Sequence, residues 1–156
     1  MKKIALSGKN GAGLFATVDD EDFALASSMK WHIDIGGYAV RKGPRPRMAV
    51  IFLHRLINKT PDGLFTDHIN GDKLDNRRAN LRTVNKSQNA CNSKHQKRKV
   101  APYRGIGVDR RTGRWHARLN YLGKLYKGGN FDTPEDAHAA YLALAERVQG
   151  EFAYQK

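Results

Sequence analysis

Between Arg114 and Tyr121 the chain alternates without a break. Trp115, Ala117, Leu119 and Tyr121 fall on one side, and Arg114, His116, Arg118 and Asn120 on the other. A period of two over this length is a strand with one face on a core and the other in water. The flanking residues complete a small unit over 103–153. Arg104–Asp109 reads as a first strand, Arg111-Thr112-Gly113 as a turn, and Leu122-Gly123 as the turn into a third strand at 124–131. Thr133, Pro134 and Asp136 then form a helix start, with Thr133 as N-cap and Pro134 in the first position. Ala137, Ala140, Tyr141 and Leu144 give the following helix an apolar stripe through to about Val148. Three antiparallel strands packed on one helix are the expectation.

Upstream the signals are shorter. Residues 1–53 read as a small β-rich section with strands at Ile4–Leu6 and Phe15–Val18. The acidic run from Asp19 to Asp22 is suited to a helix N-terminus, where the helix dipole favours negative charge. Trp31–Val40 and Arg47–Leu53 read as a hairpin, with Gly36-Gly37 inside its first strand and Pro44 and Pro46 in its loop. Residues 54–93 hold the densest polar chemistry. A basic stretch without apolar periodicity, within a linker at 94–102, separates them from the C-terminal unit. The fold class expected is α+β.

Charge narrows the partner. The 156 residues carry 28 Lys and Arg against 15 Asp and Glu, a net charge of +13. The excess is spread over both halves rather than held in one tail, and such a surface attracts polyanions, nucleic acid first among them. The lone cysteine, Cys91, excludes an internal disulfide and a cysteine-based zinc site. No apolar run approaches the roughly 18 residues of a membrane span, and residues 1–15 lack the apolar stretch of a signal peptide. A soluble cytoplasmic chain with no membrane partner and no obligatory protein partner is the expectation.

The segment from Thr66 to Arg82 carries the chemistry. Hydrolysing a phosphodiester takes a base for water, charge to neutralise the phosphate, and stabilisation of the leaving oxygen. Histidine titrates near neutrality and suits the first task. A carboxylate with an amide oxygen suits a hard ion such as Mg²⁺. Asp67 and His68 are adjacent on an expected strand, so their side chains start on opposite faces. Asn85, Asn89 and Asn92 share a face of a helix expected over about 84–93. An EF-hand reading fails, since Asp67 in the first position puts Arg78 where a glutamate is needed.

Residues 54–92 resemble the HNH nuclease motif of phage and intron-encoded homing endonucleases. The resemblance rests on His54-Arg55-Leu56, Asp67-His68-Ile69-Asn70-Gly71, Asp75-Asn76-Arg77, Asn80-Leu81-Arg82, Gln88-Asn89 and Asn92. It implies a ββα-metal core in which Asp67 and Asn89 bind one divalent ion, His68 is the general base and Asn80 braces the loop. Asparagine as the last letter, as in the HNN subgroup, favours Mg²⁺ or Mn²⁺. His54, Arg55, Arg77 and Arg82 are candidate phosphate contacts; for His54 a packed helix-start role is equally open.

The C-terminal unit resembles the APETALA/ethylene-response-factor type of DNA-binding domain through Tyr103-Arg104-Gly105-Ile106, Gly113-Arg114-Trp115, Ala117-Arg118-Leu119, Asn130-Phe131 and Glu135-Asp136-Ala137. Its first turn is one residue longer than the plant pattern, and Arg118 stands where an acid is usual. The strand face carrying Arg114, His116 and Arg118, extended by Arg104 and Lys124, is the candidate surface for double-stranded DNA. The functional expectation is a metal-dependent DNA endonuclease of the homing type. The alternatives are a DNA-binding regulator that does not cleave and, behind it, an RNA-binding protein, which would stack bases on aromatics that are scarce here.

Overall fold

The computed structural model describes residues 1–46, 48–91 and 101–153. The chain divides into two compact units, Met1–Asn89 and Ala90–Gln155.

In the first unit a five-stranded sheet runs in the order β2-β1-β3-β4-β5. Its strands are β1 (Lys2–Ser7), β2 (Phe15–Val18), β3 (Trp31–Ile33), β4 (Ala39–Lys42) and β5 (Val50–Phe52). β1 and β3 are parallel because α1 (Asp20–Ser27) follows β2 and returns the chain; the other pairs are antiparallel. The expected strand over Trp31–Val40 is two strands. Its glycines form the turn between them, where the Asp34 amide donates to the Tyr38 carbonyl at 3.0 Å and the Tyr38 amide to Asp34 Oδ1 at 2.8 Å. Gly37 takes a φ of +84°, which an L side chain rarely adopts, so the glycine pair breaks the strand.

α2 (Leu53–Asn58), the antiparallel pair β6 (Phe65–His68) and β7 (Leu81–Val84), and α3 (Lys86–Cys91) follow. No core boundary falls at 53/54. Leu53, Ile57 and Leu81 are buried in one cluster with Ile4, Leu6, Val18 and Trp31. Burying those side chains together contributes about 1.5–3 kcal/mol each, more than either segment would secure alone. α3 begins later than the helix expected. Asn85 lies ahead of it and caps it: Asn85 Oδ1 accepts from the Gln88 amide, and Gln88 Oε1 from the Asn85 amide, both at 2.9 Å. Asn92 and the basic stretch at 94–99 lie outside the described residues.

In the second unit β8 (Ile106–Val108), β9 (Trp115–Tyr121) and β10 (Lys124–Phe131) form an antiparallel sheet in the order β10-β9-β8, with α4 (Pro134–Gln149) on one face. The alternation in β9 is realised: Ala117 and Leu119 are buried with Tyr141, Leu144 and Ala145, while Arg118 and Asn120 are exposed. Thr133 caps α4, its Oγ1 accepting from the Asp136 amide at 3.2 Å. Gly105 packs so closely under Tyr141 that a Cβ there would run into the ring.

Candidate active site

The loop between β6 and β7 is a polar span that must satisfy its own backbone, and it does so against its neighbours. Thr17 on edge strand β2 donates to the Leu74 carbonyl and accepts from the Asn76 amide, both at 2.8 Å. Asn80 binds the loop from inside: its Nδ2 donates to the Asp75 carbonyl at 2.8 Å and its Oδ1 accepts from the Asn70 amide at 3.0 Å. Its carbonyl accepts from the Ile69 amide. One side chain thus fixes the loop near its start, at Asn70, and at its middle, at Asp75.

A second anchor comes from the acidic run. Asp19 occupies the N-cap position of α1 but makes no side-chain cap bond. Its Oδ2 accepts from the Arg78 amide at 2.8 Å, and Asp22 takes the Arg78 guanidinium by both Nε and Nη2 at 2.8 Å. Asp22 is 5% exposed, and the guanidinium beside it holds its carboxyl below the usual range. The run was legible as a helix start, and it is one. Its reach across to the turn at 78–80 was not legible, because nothing in local sequence ties it to Arg78.

Asp67 and His68 end β6, and both are buried. Asp67 Oδ2 accepts from Arg82 Nε at 2.9 Å and Nη2 at 2.8 Å. The pairing follows from register, since Asp67 lies directly opposite Arg82 on β7. His68 faces an aromatic box. Its ring lies 5.1 Å from His54 and 5.9 Å from Tyr38, and Tyr38 lies 5.1 Å from His54. Burial pulls the His68 pKa down, opposed by hydrogen bonding with Asn76 and by the charges of Asp67, Asp72 and Asp75. Burial, with His68 and Arg55 beside it, lowers His54 to about 3. Tyr38, raised chiefly by its own burial, is held in turn by Lys73, whose Nζ sits 4.6 Å over the ring and donates to the Gly36 carbonyl at 2.6 Å. Neither Tyr38 nor Lys73 is marked for the site by local sequence. A tyrosine after a glycine turn is an ordinary signal, and only the fold brings it to His68.

Of the candidate phosphate contacts, His54 is buried beside His68. Arg55 bonds the carbonyls of Leu64, Thr60 and Pro61, closing the loop after α2. Arg77 forks onto Asp75 with Nε and Nη2 at 2.7 Å, and Arg82 onto Asp67. Asn89 is half-buried in α3. Among the described residues no group of three or more His, Cys, Asp and Glu is placed to hold a metal ion. The expected set, one carboxylate with one amide oxygen, is of a different kind. Its chemistry fits a hard divalent ion that keeps most of its waters, and a carboxylate has about four lone-pair sites, enough for Arg82 and an ion together.

In the second unit Arg118 and Lys124 are exposed. Arg114 Nε pairs with Asp132 at 2.9 Å, and Arg104 Nη2 donates to the Ala90 carbonyl at 3.0 Å. The His116 ring covers Gly107, where a Cβ would sit 2.8 Å from Nε2, and its Nδ1 is buried without a hydrogen-bond partner. The face is basic, with Arg114 and His116 partly engaged within the sheet.

Comparison with known proteins bears on the same residues. A family model described as HNH endonuclease matches residues 58–91, from the end of α2 through β6, the loop, β7 and α3. A protein of Acanthamoeba polyphaga mimivirus named as an uncharacterized HNH endonuclease is 30% identical over 151 residues, 92% of this chain and 75% of that protein. No solved structure matches the chain. With its matched segment folded as a strand pair and helix around Asp67, His68 and Asn80, the chain belongs to the HNH endonuclease family and is a nuclease.

Proposed function

We propose that the chain is a metal-dependent, site-specific DNA endonuclease of the homing type, with the β6–β7–α3 segment as a ββα-metal core. The observation that carries this reading is the placement of Asp67 and His68 in succession and buried, at the mouth of a loop that the Asn80 side chain ties at Asn70 and Asp75. His68 takes a proton from the attacking water, and Asn80 keeps the loop behind that imidazole in one conformation. Asp67 and Asn89 would hold the divalent ion, Mg²⁺ or Mn²⁺. Its chemistry there would be neutralisation of charge on the phosphate and on the departing 3′ oxygen. Arg82 orients the Asp67 carboxylate from behind, as partners of metal-binding carboxylates commonly do.

The second unit, which resembles the APETALA/ethylene-response-factor domain in sequence, supplies the grip on double-stranded DNA. Of its candidate contacts Arg114, Arg118 and Lys124 are exposed, and Arg104 and His116 are half-buried. The test is nicking of supercoiled plasmid with MgCl2, expected of the wild type and lost with EDTA. Equal cutting by wild type and His68→Ala would remove the catalytic assignment.

A further inference from the structure

His54 occupies the first turn of α2, 6% exposed, in ring contact with His68, Tyr38 and Phe52. Its Nδ1 is sealed from solvent and has no hydrogen-bond partner. A side chain kept only to fill this box would do better without a polar atom, because an unpaired buried nitrogen destabilises the fold. A phenylalanine would fill the space among the same rings.

The sealed nitrogen also fixes the tautomer. A neutral imidazole carries one N–H and one bare nitrogen. Of the two arrangements, a buried N–H without an acceptor is the one that folded proteins avoid most strictly. Nδ1 is therefore the bare nitrogen, and the proton lies on Nε2. The ring is uncharged at neutral pH, so it offers an N–H without adding a second positive charge beside His68. It stands one ring-width from the base, where the reacting phosphate has to lie if His68 is to deprotonate its attacking water.

The geometry points to His54 as a second imidazole of the cleavage site, its Nε2–H donating to a non-bridging oxygen of the scissile phosphate. The inference rests on the nuclease reading above and assigns a substrate contact within it. It also explains why a buried histidine with an unsatisfied atom occupies the box: the stability given up there returns as a preorganised donor.

The test uses the full chain as wild type, His54→Phe and His54→Gln. His54→Phe, which keeps the packing, is expected to melt at the same temperature or higher, yet to nick supercoiled plasmid with MgCl2 about 10- to 100-fold more slowly in single turnover. His54→Gln, which restores an N–H donor, is expected to recover part of the loss. Long-range ¹H–¹⁵N spectra of the wild type should show the Nε2–H tautomer, with that signal moving when a duplex oligonucleotide is added without metal. An Nδ1–H tautomer, or a His54→Phe variant that nicks at the wild-type rate, overturns the assignment. If His54→Phe melts lower, the glutamine variant and the spectra decide. A wild type that does not nick, with the Nε2–H signal still moving on DNA, sinks the nuclease reading and leaves the donor standing.

Discussion

The contact between Asp22 and Arg78 joins α1, in the part of the chain with no motif, to the turn that carries Asn80, and its strength can be worked out. Two charge-assisted bonds at 2.8 Å hold a carboxylate whose side chain is 6% exposed to a guanidinium that is 47% exposed. Breaking a fully buried pair by removing one partner costs about 3–5 kcal/mol, whereas a fully exposed pair contributes at most about 1 kcal/mol. With one partner half in water, Arg78→Ala should cost about 3 kcal/mol, since it strands the buried carboxylate. Asp22→Ala should cost about 2 kcal/mol, because Arg78 can turn to water or to Glu21, 2.9 Å away. The double variant should cost about 3 kcal/mol, for a coupling of about 2 kcal/mol. Trp31, fully buried in this unit, reports the transition in urea once the other tryptophan is removed by Trp115→Phe. Additivity of the two single changes to within about 0.5 kcal/mol would refute the reasoning. The sign with pH is also set. Arg78 lowers the Asp22 pKa in the folded state, so the contribution is present above the unfolded carboxyl pKa and is lost as pH falls through the lowered folded value. Each single variant should also slow nicking, because the turn that positions Asn80 loses an anchor.

Three further outcomes are expected. His54 has a folded pKa of about 3 against roughly 6.5 unfolded, so its share of stability is present above pH 6.5 and falls with acid; at pH 5 the wild type should lose about 2 kcal/mol that His54→Phe does not, read as a changed gap between their urea midpoints at pH 7.5 and pH 5. Gly105→Ala should destabilise the second unit by about 3 kcal/mol, since φ is +75° and the new methyl meets the Tyr141 ring; Trp115 fluorescence in a Trp31→Phe background follows that unit. Thr133→Ala should cost α4 about 1 kcal/mol through loss of the cap on the Asp136 amide, measured in the same background.

What could be read from residues depended on the distance over which each signal acts. The alternation of β9, the Thr133-Pro134 start of α4 and the strand ending at His68 are local patterns, and the fold realises all three. The Gly36-Gly37 break is ambiguous in sequence, because two glycines inside an apolar run fit either a weak strand or a turn. Asn85 offers another case. Its spacing to Asn89 puts it on a helix face, yet Asn85 followed three residues later by Gln88 is also a capping box, and the cap won because it satisfies two amides that a face position would leave to water.

The site itself is a long-range object. Asp67 and His68 were legible as chemistry, but apart from His54 on α2 their surroundings are assembled from β2, α1 and the β3–β4 turn, which carry no motif. Asp22 shows why such partners stay hidden: in sequence it is one more acid in a helix's first turn, and its burial is fixed only when β2 receives the loop at Thr17 and brings Arg78 within 2.8 Å. An isolated segment 54–93 would leave Thr17, Asp19 and Asp22 behind, and with them every hydrogen bond by which β2 and α1 hold the loop. The N-terminal section is therefore the frame of the site, and a deletion of residues 1–53 should abolish the fold of β6–β7 rather than trim an accessory part.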